Sequence, residues 1–204
     1  MSLLERPLNA DAIRAELHGS TIGRDVLVLD ETTSTNEFLF GIANASTSEG
    51  LVVFAEHQTA GRGQHGKRWE SPRGKGLWFS VLLRPDISPN KSPRLTSWAA
   101  RTIAETIATN YSLGANVKPP NDVVANGRKL AGVLLEMRVP PGAAHIGILG
   151  VGVNVNQAVD DFPEELRGSA SSIAMLLGRE IDRNALAITL LRALDRSYRD
   201  TAAS

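Results

Sequence analysis

The sequence predicts an α+β domain with a mixed, mainly antiparallel sheet flanked by helices. Apolar runs of strand length follow one another across glycine-rich or Asn-Gly turns, one long amphipathic helix interrupts them, and helical spacing returns near both ends of the chain.

The first element is a short helix from about Ala10 to Leu17, stopped by Gly19, followed by a short buried strand at Val26 to Leu29. Ser34 and Glu37 have the spacing of a capping box, and Phe38, Leu39 and Ile42 form an apolar face. A helix is therefore expected to begin at Ser34, with Thr33, Thr35 and Asn36 at its N-terminus. Leu51 to Ala55 and Leu77 to Leu83 read as buried strands on either side of a glycine-rich loop. Ser92 is placed to cap a helix with Pro93 at its first position, and Leu95, Trp98, Ala99, Thr102, Ile103, Thr106 and Ile107 continue it towards Gly114. Val123 to Ala125, Asn126-Gly127 and Leu130 to Met137 spell a hairpin with a type I′ turn. Pro140-Pro141-Gly142 turns the chain again into a strand from Ile146 to Val155. Two helices follow Phe162-Pro163, at about Ser171 to Leu177 and from Asp182 to Arg199, where Leu186, Leu190, Leu194 and Tyr198 share a face.

Composition bounds the function. The 204 residues suit one domain over residues 1–204. With 22 basic and 22 acidic residues the net charge is zero, which argues against a nucleic-acid binder that relies on phosphate neutralisation. The absence of cysteine excludes disulfides, thiolate metal sites and a covalent thioester, and it suits a reducing cytoplasm. No apolar run reaches the roughly 20 residues a membrane span requires. The histidines, His18, His57, His65 and His145, have no metal-ligand spacing; His57 and His65 read as neighbours of a site. Asp160, Asp161, Glu164 and Glu165 read as a solvated loop, or alternatively as a segment that orders over a bound ligand.

The segment Gly61-Arg62-Gly63-Gln64-His65-Gly66-Lys67-Arg68-Trp69 combines yielding backbone with cations, the means of holding an anion. It satisfies a dinucleotide-binding glycine pattern and approaches a P-loop, yet Arg68 stands where a P-loop needs Ser or Thr, and the loop leads into a strand instead of a helix. Taken alone it also fits a glycine-rich hairpin loop. Three more polar clusters sit at strand ends. Lys118-Pro119-Pro120-Asn121-Asp122 is an extended kink presenting an ammonium, an amide and a carboxylate. Lys129-Leu130-Ala131-Gly132 starts a strand with a lysine, and Gly132 admits close approach to the backbone. Gly150-Val151-Gly152-Val153-Asn154 has glycines where a strand normally carries side chains.

In this order, Ser34-Thr35-Asn36, Gln58 with Gly61-Arg62-Gly63, Trp69, Lys118 to Asp122, Lys129 to Gly132 and Gly152-Val153-Asn154 resemble the catalytic domain of bacterial biotin protein ligases across residues 25–199. The resemblance implies the biotin/lipoate ligase-like fold. It also implies adenylation of biotin by MgATP, followed by transfer of biotin to a lysine on the biotin carboxyl carrier domain of acetyl-CoA carboxylase or a related carboxylase.

By the same resemblance, Ser34, Thr35, Asn36, Gln58, Gly61, Arg62, Gly63, Gln64, Lys129 and Gly132 bind biotin, with Lys129 and Arg62 catalytic. Lys67, Trp69, Lys118, Asn121, Asp122 and Asn154 serve ATP and the adenylate, with Mg²⁺ carried by ATP and Asp122 the residue nearest it. Asp122 alternatively accepts the carrier lysine's proton, and Trp69 alternatively is plain core.

The family loop often has arginine at the positions of Gln64 and Lys67, and a tryptophan at that of Pro119; Gln64 offers no charged fork and implies weaker retention of the adenylate unless Lys67 or Arg68 compensates. No N-terminal DNA-binding domain and no C-terminal SH3-like domain are expected within these residues, and homodimerisation stays open. The alternatives are a lipoate ligase-like acyl transfer and a weakly catalytic module that binds biotin or its adenylate.

Overall fold

The computed structural model describes residues 3, 6–87, 89–138 and 145–202. Its strands form one seven-stranded sheet in the order β1-β2-β3-β7-β6-β5-β4. The strands are β1 (Val26–Thr32), β2 (Val52–Gln58), β3 (Gly76–Leu83), β4 (Asn116–Lys118), β5 (Asp122–Ala125), β6 (Arg128–Arg138) and β7 (Ile146–Asn154). The helices are α1 (Ala10–Glu16), α2 (Thr35–Ile42), α3 (Ser92–Tyr111), α4 (Ile173–Leu177) and α5 (Arg183–Ala202). β1 and β2 are parallel, joined through α2, and every other neighbouring pair is antiparallel. The expected mixed, mainly antiparallel class is what forms.

Alternation along the central strands divides the molecule into a thick and a thin side. Leu77, Phe79, Val81 and Leu83 of β3 and Leu149, Val151 and Val153 of β7 join the main core, with Ile13 of α1, Leu95, Ile103 and Ile107 of α3 and Leu186, Leu190 and Leu194 of α5. Among the described residues, α2 is the helix that covers the opposite face, through a smaller cluster of Leu39, Phe40, Val53, Leu82, Ile146 and Ile148. On that face β7 carries Gly150 and Gly152, and β6 carries Gly132, which pairs with Gly152. The sheet is therefore bare beside the N-terminus of α2.

Several local expectations need adjustment. Ser34 is the N-cap of α2, but its side chain makes no capping bond. Instead Thr33 Oγ1 donates to Glu37 Oε2 at 2.9 Å, so the preceding threonine takes the carboxylate that a capping box would bring to the Ser34 N–H. Lys91, not Ser92, caps α3, and Pro93 lies in its first turn. Strand β4 was not expected, because its three residues are too short to show alternation; it runs into the predicted kink at Pro119-Pro120. The Asn126-Gly127 turn has φ of 50° and 74°, as a type I′ hairpin requires. The turn at Pro140-Pro141-Gly142 lies outside the described residues.

One buried ion pair ties the start of the chain to its end. Arg183 Nη1 lies 2.7 Å from Glu56 Oε2, with side chains 2% and 9% exposed. The other oxygen of Glu56 accepts the Leu8 N–H, and Arg183 also donates to the carbonyls of Arg6 and Gly76.

Candidate active site

The bare patch of sheet becomes a pocket because three elements converge on it. The N-terminal turn of α2 brings Ser34, Thr35 and Asn36; the end of β2 brings Gln58; the glycine-rich loop from β2 to β3 brings Arg62, Gly63, Gln64 and Trp69. Lys129 and Gly132 of β6 with Gly150 and Gly152 of β7 complete the lining. This head pocket has a volume of about 50 Å³. A second, larger cavity of about 480 Å³ opens beside it, lined among others by Lys67, Lys118, Asn121, Asp122, Asn154 and Phe162. Gly63, Gln64, Trp69, Asn121 and Lys129 line both.

Trp69 is the partition. Its indole lies against the backbones of Gly152 and Gly132: a Cβ on Gly152 would fall 2.4 Å from Cε2, and one on Gly132 2.8 Å from Cζ3. Gly132 thus admits the indole to the backbone. The ring meets Trp78 edge-on at 6.3 Å between centroids, and the Lys129 ammonium stands 5.0 Å from its centre. The indole N–H is buried against the Gly152 backbone without a hydrogen-bond partner.

Behind the head pocket the polar groups are ordered. Gln58 Oε1 accepts from the Thr35 N–H at 2.9 Å and from Thr35 Oγ1 at 3.1 Å, which turns the amide NH₂ away; that NH₂ donates to Ser71 Oγ at 2.9 Å and keeps a second proton. Ser80 on β3 is fully buried and reaches both Thr35 and Asn36. The Asn36 amide donates to Glu136 at 2.7 Å, so it serves the protein's own network while lining the pocket. Gly61 lies behind the lining: a Cβ there would meet Trp69 O at 2.5 Å, and its carbonyl accepts from the Trp69 N–H.

Both candidate catalytic cations are held by carboxylates. Lys129 Nζ lies 2.6 Å from Asp122 Oδ1, and Arg62 bridges Glu37 at 3.1 Å and Glu136 at 3.3 Å. The main chain of Lys129 is fixed as well: its N–H donates to Ser169 O, and its carbonyl accepts from the Ser171 N–H and from Asn154 Nδ2. Asn121 is pinned by its own side-chain bond to Val133 O at 2.8 Å. Lys67 and Lys118 are exposed at the rim of the larger cavity. Phe162 and Leu166, from the segment expected to be a solvated loop, form part of that cavity's wall, while Asp161 and Asp160 pair with Lys75 and Arg167. His65 lines the larger cavity, whereas His57 pairs with Glu31 at 3.0 Å and lines neither.

Sequence reasoning missed Ser80, Glu136 and Ser71. The first two carried a signal: Ser80 is the lone hydroxyl in the apolar run Leu77 to Leu83, and Glu136 is a charge on a buried strand in phase with Gly132.

Two carboxylates line the larger cavity, Asp122 paired with Lys129 and Glu70 paired with Arg68, a set that would suit a Mg²⁺ brought with a nucleotide, an ion normally held by one or two carboxylates plus phosphates. Among the described residues no cluster of three or more His, Cys, Asp or Glu side chains forms a cage for a metal. Nor, among those residues, is any helix long and apolar enough to cross a membrane.

The model of the biotin/lipoate A/B protein ligase family matches residues 28–154. The chain is 37% identical over 200 residues to the bifunctional ligase/repressor BirA of Bacillus spizizenii, covering 97% of this chain and 62% of that protein. It is 36% identical over 198 residues to the biotin–[acetyl-CoA-carboxylase] ligase of Mycobacterium tuberculosis, covering 94% of this chain and 71% of that one. A biotin protein ligase from Aquifex aeolicus in complex with biotin and ATP superimposes with a TM-score of 0.77 at 29% identity, over 89% of this chain and 73% of that one. The chain thus spans about three fifths of the BirA relative's length. With a family match from β1 through the end of β7, and those relatives aligned along nearly all of its length, the chain belongs to the biotin/lipoate A/B protein ligase family.

Proposed function

We propose that this chain adenylates biotin with ATP and transfers the biotinyl group to a lysine of a carboxylase's biotin carrier domain, in the cytoplasm. The observation that carries the reading is the shared wall: Lys129, Trp69, Gln64 and Gly63 belong at once to a small polar pocket and to a larger cavity rimmed by cations. A molecule with a compact polar head and a carboxylate tail fits across that wall towards a nucleotide. The names of the relatives, and the Aquifex complex with biotin and ATP, support the same choice.

In the first step a biotin carboxylate oxygen attacks the α-phosphorus of ATP and pyrophosphate leaves. Two anions meet there, so fixed cations supply the stabilisation as charge builds on the phosphoryl oxygens. Lys129 stands at the junction of the two cavities and Arg62 at the mouth of the smaller; each exchanges a protein carboxylate for a substrate oxygen. Ser34 Oγ, free of a capping role, and the spare N–H of Gln58 face the ureido head. Asp122, in the wall of the larger cavity, would help hold a Mg²⁺ carried by the nucleotide, which would supply further positive charge. In the second step the carrier amine, once neutral, attacks the acyl carbon and AMP leaves; no protein nucleophile is needed, because alignment supplies the rate. Asp122, in place of a metal role, would alternatively take the amine's proton once Lys129 turns to the substrate.

The test is pyrophosphate exchange into ATP with biotin, lipoate or octanoate. Biotin-dependent exchange reduced about 10²- to 10³-fold in Lys129→Ala is expected, the scale of losing one preorganised charge partner. Exchange with lipoate alone would move the chain to the lipoate branch, and tight biotin binding without exchange would leave a binding module.

A further inference from the structure

We propose that Glu136 is a positioning residue for Arg62, and that Ser80 and Asn36 form the mount on which Glu136 is held. The inference rests on the reading above, in which Arg62 offsets charge on the reacting acid and phosphate.

The mount begins in the core. Ser80 Oγ lies 2.7 Å from Thr35 Oγ1 and 2.5 Å from Asn36 Oδ1. Ser80 has a single proton for these two contacts, and the orientation of Asn36 is set from its other side: the Glu136 carboxylate only accepts, so it takes the Asn36 NH₂ and leaves the Asn36 carbonyl facing the Ser80 hydroxyl. The opposite amide orientation would set the Asn36 carbonyl against a carboxylate. Gly150 makes the approach feasible, since a Cβ there would sit 2.4 Å from Asn36 Oδ1. With the carbonyl fixed inward, the Asn36 NH₂ points outward and donates to Glu136 Oε2 at 2.7 Å. That same oxygen receives Arg62 Nη2 at 3.3 Å.

Arg62 has a second carboxylate partner, Glu37, but the two are not equivalent. Glu37 is about half exposed, at 47%, and hangs from the first turn of α2; Glu136 is 33% exposed, projects from β6, and is tied through Asn36 to a fully buried serine. A guanidinium between two carboxylates has its field cancelled, so substrate must displace one of them. Glu37 is the one that yields, and Glu136 is the pivot that keeps Arg62 over the mouth of the head pocket. A bridge between exposed charges alone contributes little, whereas one anchored to an ordered network sets geometry.

The experiment is a double-mutant cycle read by biotin-dependent pyrophosphate exchange on Glu136→Gln, Arg62→Ala and the double variant. Glutamine keeps an acceptor for Asn36 and removes the charge that orients Arg62. Expected are a roughly tenfold lower kcat in Glu136→Gln, since small misplacements of a catalytic group cost this much or more, and a KM for biotin within about twofold. The double variant should be no slower than Arg62→Ala, because two residues acting through one function do not add. Glu136→Asp, which keeps the charge at shorter reach, should retain more activity than Glu136→Gln; melting temperatures of all variants identify any that misfold. An unchanged kcat in Glu136→Gln, a double variant slowed by the product of the single effects, a loss confined to KM, or an Asp variant no better than Gln would each overturn the proposal. If the unmutated protein showed no biotin-dependent exchange, the functional reading itself would fall; an active protein indifferent to Glu136→Gln would remove this inference alone.

Discussion

Gly152→Ala tests whether the Trp69 partition is built as described. The backbone at Gly152 lies outside the left-handed region, so alanine carries no conformational penalty there and the effect is steric. The new methyl would lie 2.4, 2.5 and 2.6 Å from Cε2, Nε1 and Cζ2 of Trp69, about 1 Å inside ordinary contact. The ring cannot slide across the sheet, because it already abuts the Gly132 backbone and faces Trp78 edge-on. It must lift. A gap of about 1 Å forfeits a quarter to a half of the dispersion energy along that face, and overpacking of this kind costs roughly 1–3 kcal/mol. For a chain of this length a loss of about 2 kcal/mol lowers Tm by about 4–8 °C. Calorimetry of Gly152→Ala, Trp69→Ala and the double variant should show that penalty in the parent, and a shift within about 0.5 kcal/mol in the Trp69→Ala background, where the methyl has space. An unchanged Tm in the parent, or the same penalty in both backgrounds, would refute the placement of the indole on the glycine floor.

Other expectations follow from buried polar groups. Arg183→Ala leaves Glu56 charged and unpaired in the interior and should cost about 3–5 kcal/mol, while Arg183→Met with Glu56→Leu should be less damaging than Arg183→Ala alone in urea denaturation. Ser80→Ala removes the hydroxyl that the Asn36 carbonyl faces and should cost about 1–3 kcal/mol, with weaker biotin binding in titration calorimetry. Burial, with the Glu49 carboxylate that accepts its hydroxyl at 2.8 Å, pushes the ionisation of Tyr198 above that of an ordinary phenol. With the folded pKa above the unfolded one, this contribution is complete below about pH 10 and is lost as pH rises through the folded value. Tyr198→Phe should therefore flatten the alkaline fall in Tm; an identical fall in both proteins would argue against the burial of that hydroxyl.

The sheet and its helices were legible because their signals are local. Leu77 to Leu83 and Ile146 to Val155 are long enough to read as strands without context, and Asn126-Gly127 names its turn. The residues around the pocket were legible as sequence clusters, and the fold brings them together. Division of labour among them was not. Ser34 and Glu37 have the spacing of a capping box, but whether they use it depends on the competing Thr33 hydroxyl and on Arg62, which arrives from a loop after β2. Asn36 lines the pocket as expected, but only the fold reveals that Ser80 and Glu136 also claim its amide. The short strand β4 was invisible for want of length, and Phe162 and Leu166 read as part of an acidic loop because their role depends on the cavity they wall.

The stitching of Lys129 has a mechanical consequence. Its amide and carbonyl are bonded to Ser169 and Ser171, the residues that follow the Phe162 and Leu166 wall of the larger cavity. The lysine's main chain and that wall are therefore one linkage: a displacement of the wall around a nucleotide is transmitted to the root of the ammonium side chain without passing through any side-chain contact. The Lys129 and Ser171 amides should then exchange with solvent as a pair, protected together when the cavity is filled and released together when it empties.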